Sequence, residues 1–140
     1  MGTADTETTD HVLLYGSLLS FLSTQEELGV KHSLKLLGHC ALQGRLYDLG
    51  DYPGLVMNHA DSTIVMAELY QCLDQQVLHT LDEFEDYRPG DEAGSLYIRH
   101  SVSLDHPVKE AWTYVYNRPV SESAFIPCGN WKRHLAEKND

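Results

Sequence analysis

The run Asp82-Glu83-Phe84-Glu85-Asp86 crowds carboxylates onto one stretch of chain, and one of them points the wrong way for a solvated surface. Residues Asp74 to Asp86 read as an amphipathic helix, with Asp74 placed to cap its start. Val77, Leu78, Leu81 and Phe84 recur at helical spacing and define its apolar stripe. At about 100° per residue, Glu85 falls roughly 50° from the middle of that stripe, whereas Glu83 and Asp86 fall roughly 150° away and Asp82 lies at the edge. An inward carboxylate is costly unless it is protonated, paired or hydrogen-bonded. Burial raises a carboxyl pKa toward neutrality, which suits a general acid or base. The alternative is a carboxylate at a helix end, hydrogen-bonded to a nearby loop.

A second group of residues has chemical potential in its backbone. An apolar segment from His11 runs into Tyr15-Gly16-Ser17-Leu18. Gly16 lets the chain turn and lets a ligand approach where a Cβ would intrude. Peptide N–H groups beyond the end of a strand are free of ladder partners and can converge on a carboxylate or a developing oxyanion. The plainer reading is a glycine turn that ends a strand. It is not a phosphate loop, since further glycines and a Lys are missing, and Ser17 lacks the glycine pattern of a nucleophile elbow. Tyr114 and Tyr116 could line a ligand pocket, although aromatics on one strand face more often serve a core.

These residues must be held by a framework, and the sequence pattern supplies one. Six segments read as strands: His11 to Leu18, Ala41 to Leu49, Leu55 to Asn58, Thr63 to Leu73, Tyr97 to Leu104 and Glu110 to Asn117. Gly44 suggests a bulge or bend in the second. The Leu18 to Leu37 stretch is ambiguous, with a short helix around Thr24 to Leu28. Residues 88–96 form a loop, and the chain from Pro119 onward reads as irregular. One clear helix among many strands, without strand–helix alternation, points to an α+β fold, with about six strands curled into a small mixed β-barrel flanked by a few helices. Residues 1–10 read as a flexible tail and 11–140 as a single domain.

Composition narrows the chemistry. Ten basic against twenty-one acidic residues in 140 give a net charge of −11, which disfavours nucleic acid and anionic membranes as partners. No apolar run has the length of a membrane span. Cys40, Cys72 and Cys128 are odd in number and widely spaced, which suits reduced thiols and a cytoplasmic location. The eight histidines and three cysteines show no metal-ligand spacing, so no metal is expected.

Taken in order, these segments resemble the gamma-glutamylcyclotransferase-like family. The resemblance is carried by Tyr15-Gly16-Ser17-Leu18, by Gly44-Arg45-Leu46-Tyr47-Asp48-Leu49 with Tyr52-Pro53-Gly54-Leu55-Val56, by Leu81 to Tyr87, by Tyr97-x-Arg99 and by Ala111 to Asn117. It implies a small barrel in which the Tyr-Gly-Ser-Leu loop, residues 15–18, holds a γ-glutamyl substrate and Glu85 is the acid/base; Tyr116, from the strand-face pattern, is taken as a further substrate contact. It implies a reaction in which the substrate's own α-amine attacks its γ-carbonyl and expels an amine, leaving 5-oxoproline. It implies no enzyme nucleophile and no cofactor. The leaving amine stays open: an amino acid, a lysine ε-amine, a peptide or a metabolite. Two other readings of the same fold are a non-catalytic domain that binds a small ligand, and an acidic protein-interaction module.

Overall fold

A computed structural model describes residues 10–57, 60–105 and 108–138. The expected tail thus lies almost wholly outside the described residues. Seven strands form one sheet: β1 (His11–Leu14), β2 (Leu34–Asp48), β3 (Pro53–Val56), β4 (Thr63–Cys72), β5 (Tyr97–Ser103), β6 (Glu110–Tyr116) and β7 (Phe125–Ile126). Three α-helices accompany them: α1 (Thr24–Leu28), α2 (Gln76–Phe84) and α3 (Trp131–Lys138). The strand order is β3-β2-β4-β1-β6-β5, with β7 paired to β2. The α+β class and the strand-rich framework are as the sequence pattern implies.

Strand β1 occupies the centre of the sheet, antiparallel to β4 and parallel to β6. Its residues alternate between two cores. Leu13 and Tyr15 face one, with Leu46, Leu55, Leu69 and Trp131. Val12 and Leu14 face the other, with Val77, Leu78, Leu81, Tyr97 and Tyr114. A strand covered on both faces has no polar side to show, which is why this segment is an unbroken apolar run. It is shorter than the sequence suggested, because the chain leaves the ladder at Tyr15 and turns, with Leu19 N–H donating to Gly16 O.

Strand β2 begins at Leu34, seven residues before the expected start at Ala41. Its first half hides from a period-two reading because its register with β4 shifts between Leu36 and Gly38, and both Leu36 and Leu37 are exposed. The bulge therefore sits near Gly38 and not at Gly44. Gly44 has another task. There β2 passes from pairing with β4 to pairing with β3, and a Cβ would come within 2.8 Å of Leu55 Cδ1 and 3.0 Å of Val56 O.

The sheet curls until β3 meets β6 and β5, and side chains rather than a ladder make that junction. Tyr97 OH donates to Pro53 O at 2.7 Å, Tyr15 OH donates to Tyr114 O at 2.6 Å, and Leu55 N–H donates to Tyr15 OH at 3.1 Å. Gly54 admits the Tyr116 side chain, whose Cβ lies 2.9 Å from where a glycine-replacing Cβ would stand.

The region beyond Pro119 is not irregular, as the sequence suggested. It holds β7 and α3. Helix α3 buries only Trp131, so it has no apolar stripe to betray it. Polar contacts dock it instead. Asp48 Oδ2 meets His134 Nε2 at 2.8 Å and Lys138 Nζ at 2.9 Å, and Asp48 Oδ1 accepts Gly50 N–H at 2.8 Å. Burial opposes the Asp48 charge, but these donors outweigh it and hold the carboxyl pKa down at about 2.

Candidate active site

Helix α2 is shorter than the expected Asp74–Asp86 span. Asp74 Oδ1 accepts Gln76 N–H at 2.8 Å, so Asp74 does serve the first turn. The other end is closed by a pair of reversed bonds: Tyr87 N–H to Asp82 O at 2.9 Å and Asp86 N–H to Glu83 O at 3.2 Å. This is a Schellman closure with Asp86 in the left-handed position, φ 55°. Glu85 is the capping residue itself, and its N–H still donates to Leu81 O at 2.9 Å. The helix therefore stops at the carboxylate and holds it against the sheet.

The buried face of α2 is Val77, Leu78, Leu81 and Asp82. Glu85 falls roughly 10° from the centre of that face at 100° per residue, closer than the sequence stripe implied. The difference comes from two residues the stripe misplaced. Phe84 is 39% exposed, whereas Asp82, read as an edge residue, is 7% exposed. Asp82 is buried because it is bonded: Tyr114 OH donates to its Oδ1 at 2.7 Å, and Arg99 Nη1 lies 3.6 Å from its Oδ2. Burial raises the Asp82 pKa, opposed by the Tyr114 hydroxyl and the Arg99 charge. The Arg99 guanidinium lies over the rings of Trp112 (4.7 Å) and Tyr87 (5.8 Å), and its Nε, buried, has no hydrogen-bond partner among the described residues. Thus Asp82, one turn before Glu85, fastens α2 to β5 and β6.

Glu85 opens onto a small cleft lined by Leu13, Leu14, Tyr15, Gly16, Ser17, Leu18, Pro53, Tyr97 and Tyr114. The geometry brings together the two sequence features that seemed independent: the inward carboxylate and the loop at the end of β1. Within that loop, no hydrogen bond among the described residues uses the N–H groups of Gly16, Ser17 or Leu18. Gly16 is required by a close approach, not by an unusual φ: a Cβ there would collide with Pro53 Cγ and Cδ. Tyr15 is buried, and its hydroxyl is fully engaged with Tyr114 O and Leu55 N–H, so it supplies a wall and no free donor. Tyr116 does not line the cavity. It packs edge-on against Tyr97 with centroids 5.3 Å apart, and Tyr97 takes the wall position instead. Tyr97 and Tyr116 are cross-strand partners, so the sequence places them on one face without saying which reaches the hollow.

The electrostatics of the cavity separate its titratable groups. Burial alone raises Glu85 from an ordinary 4.5 to about 8. The tyrosines move the other way from neutrality. Burial raises Tyr15, Tyr97 and Tyr114, and the nearby Glu85 charge raises each of them further. Among the cavity's lining residues, Glu85 is therefore the group able to gain and lose a proton near neutral pH. Among the described residues, no cluster of three or more His, Cys, Asp or Glu is arranged to hold a metal ion, and Cys40, Cys72 and Cys128 are free thiols.

Comparison with known proteins places the chain in a family. The family described as "Gamma-glutamyl cyclotransferase, AIG2-like" matches residues 12–133. The chain belongs to that family. Among its relatives, the gamma-glutamylcyclotransferase family protein YtfP of Citrobacter rodentium is 33% identical over 124 residues, covering 86% of this chain and 93% of that protein. YtfP of Escherichia coli is 32% identical over 124 residues, with 86% and 94% covered. The solution structure of the Escherichia coli protein superposes with a TM-score of 0.66 at 30% identity, over 89% of this chain and 98% of that one. An uncharacterized protein from Pyrococcus horikoshii gives a TM-score of 0.71 at 19% identity, over 94% and 97%, and so shares the gamma-glutamylcyclotransferase-like fold.

Proposed function

We propose that this chain is an active gamma-glutamylcyclotransferase that cleaves a γ-glutamyl amide and releases 5-oxoproline and a free amine. The observation that carries the reading is the shared cleft: a half-buried carboxyl with a raised pKa on one wall, and on the other residues 16–18, whose backbone N–H groups have no hydrogen-bond partner among the described residues. Family membership supports the substrate class.

In this mechanism the substrate places its γ-carbonyl oxygen toward the N–H groups of residues 16–18. Its α-amine lies toward Glu85. Ionised Glu85 takes a proton from the α-ammonium, and the freed nitrogen attacks the γ-carbon of the same molecule. The ring that forms has five members, so the substrate brings its own nucleophile at high effective concentration. The loop donors meet the charge that develops on the carbonyl oxygen. As the tetrahedral centre collapses, the γ C–N bond breaks, Glu85 passes its proton to the departing amine, and the ring nitrogen's second proton follows to that amine, leaving the neutral lactam of 5-oxoproline and an ammonium ion. A carboxyl near pH 8 is a better acid/base match for amines than an ordinary one near 4.5. The substrate cation will lower that value in the complex, because glutamate and ammonium then share one proton between them.

The test is a panel of γ-glutamyl amides, differing in the leaving amine, assayed for 5-oxoproline with the wild type and Glu85→Gln. The reading expects turnover of at least one amide by the wild type and its loss in a folded Glu85→Gln protein. Saturable binding without product from the wild type would replace it with a ligand-binding role. Undiminished turnover by Glu85→Gln would remove Glu85 from the chemistry.

A further inference from the structure

The loop that faces Glu85 is gripped from behind by a second buried carboxylate that proton transfer does not use. Glu68 lies on β4 and is 7% exposed. Its Oε1 accepts Ser20 N–H at 2.7 Å and Tyr70 OH at 2.8 Å, and its Oε2 accepts Ser20 OH at 2.6 Å. Gln25, also buried, continues the chain: its Nε2 donates to Tyr70 OH at 3.0 Å and to Leu18 O at 2.7 Å. The peptide joining Leu18 to Leu19 is thereby fixed at both ends, its C=O by Gln25 and its N–H by Gly16 O at 3.0 Å. The next peptide is fixed by Glu68 through Ser20 N–H. Two clamped peptide planes in succession leave the preceding N–H groups little freedom to rotate.

Burying a carboxylate is costly unless it is hydrogen-bonded, and here three donors meet its two oxygens. Apolar side chains of equal volume would fill the space without that cost. What the polar chain adds is direction, since hydrogen bonds fix peptide orientation and apolar packing does not. We propose that Glu68, Tyr70 and Gln25 are positioning residues that aim the N–H groups of Gly16, Ser17 and Leu18 into the cavity holding Glu85. This assignment rests on the reading of that loop as the substrate cradle.

Gln25→Met keeps the side-chain length and removes both donated bonds. The expected result is a folded protein in which the amide NMR signals of residues 16–18 shift or broaden while those of Val12 and Leu13 stay. Release of 5-oxoproline should fall at least tenfold in kcat, with the pH midpoint set by Glu85 unmoved. Amide signals that stay in place, with kcat within twofold of wild type and only the melting temperature lowered, would overturn the proposal and leave ordinary packing. Moved amides with unchanged kcat would overturn it equally. If the wild type turns over no γ-glutamyl amide, the amide signals still decide: a shift upholds the clamp while the cyclotransferase reading falls. Should Gln25→Met fail to fold, Glu68→Gln, which keeps the volume and removes one acceptor, is read in the same way.

Discussion

Holding the half-buried Glu85 carboxyl largely out of water, with no hydrogen-bond partner among the described residues, should weaken the fold, and the cost should depend on pH in a defined way. The carboxyl titrates near 4.5 when unfolded and near 8 when folded. Its folded pKa is raised, so the native state suffers no penalty below about 4.5 and loses stability progressively as pH rises to 8. At about 1.4 kcal/mol for each pH unit, the loss is about 3 kcal/mol at pH 7 and about 5 kcal/mol above pH 8. Glu85→Gln removes the titration and keeps the shape. The buried amide brings its own cost, but that cost does not vary with pH. The difference in unfolding free energy between Glu85→Gln and wild type should therefore be flat below pH 4.5. It should then grow in favour of the variant by about 1.4 kcal/mol per unit, and level off above pH 8. Urea titrations at pH 5, 6, 7 and 8 measure this, with the fluorescence of Trp112 and Trp131 as the signal. Every other titrating group is common to both proteins and cancels. A difference that stays constant across these pH values would refute the claim that burial raises the Glu85 pKa.

Two further outcomes follow from the same structure. Gly16→Ala should destabilise the protein by about 1–3 kcal/mol, since the new methyl meets Pro53 and the loop must shift; unfolding titrations measure the loss, and 5-oxoproline release should fall with it because the displaced loop carries the donors. Asp48 has a depressed folded pKa, so its contribution is present above about 4 and is lost as pH falls toward 2. It amounts to about 2 kcal/mol, and Asp48→Asn should abolish that part of the acid sensitivity, read as the pH dependence of melting between pH 5 and 2.

The elements that position the site were legible where burial imposed a single pattern. Strand β1 is apolar on both faces because both are covered, and α2 shows its stripe because it packs on the sheet along one side. Glu85 stood out as a charge within that stripe. The remainder was hidden by contacts between residues far apart in sequence. Asp82 looked like an edge residue because nothing local announces its bond to Tyr114, 32 residues away. Helix α3 was missed because Asp48, His134 and Lys138 dock it without an apolar period. The first half of β2 was missed because the bulge by Gly38 breaks the alternation. The exchange of Tyr116 for Tyr97 at the cavity wall depends on how far the sheet curls, and curl is set by the Tyr97–Pro53 and Tyr15–Tyr114 bonds that no local spacing reveals.

The most direct test of the account is the titration of the Glu85 carboxyl carbon by 13C NMR in the ligand-free protein, with the signal assigned by its disappearance in Glu85→Gln. The account predicts a midpoint near 8. A midpoint near the ordinary 4.5 would show a solvated carboxylate and would contradict it.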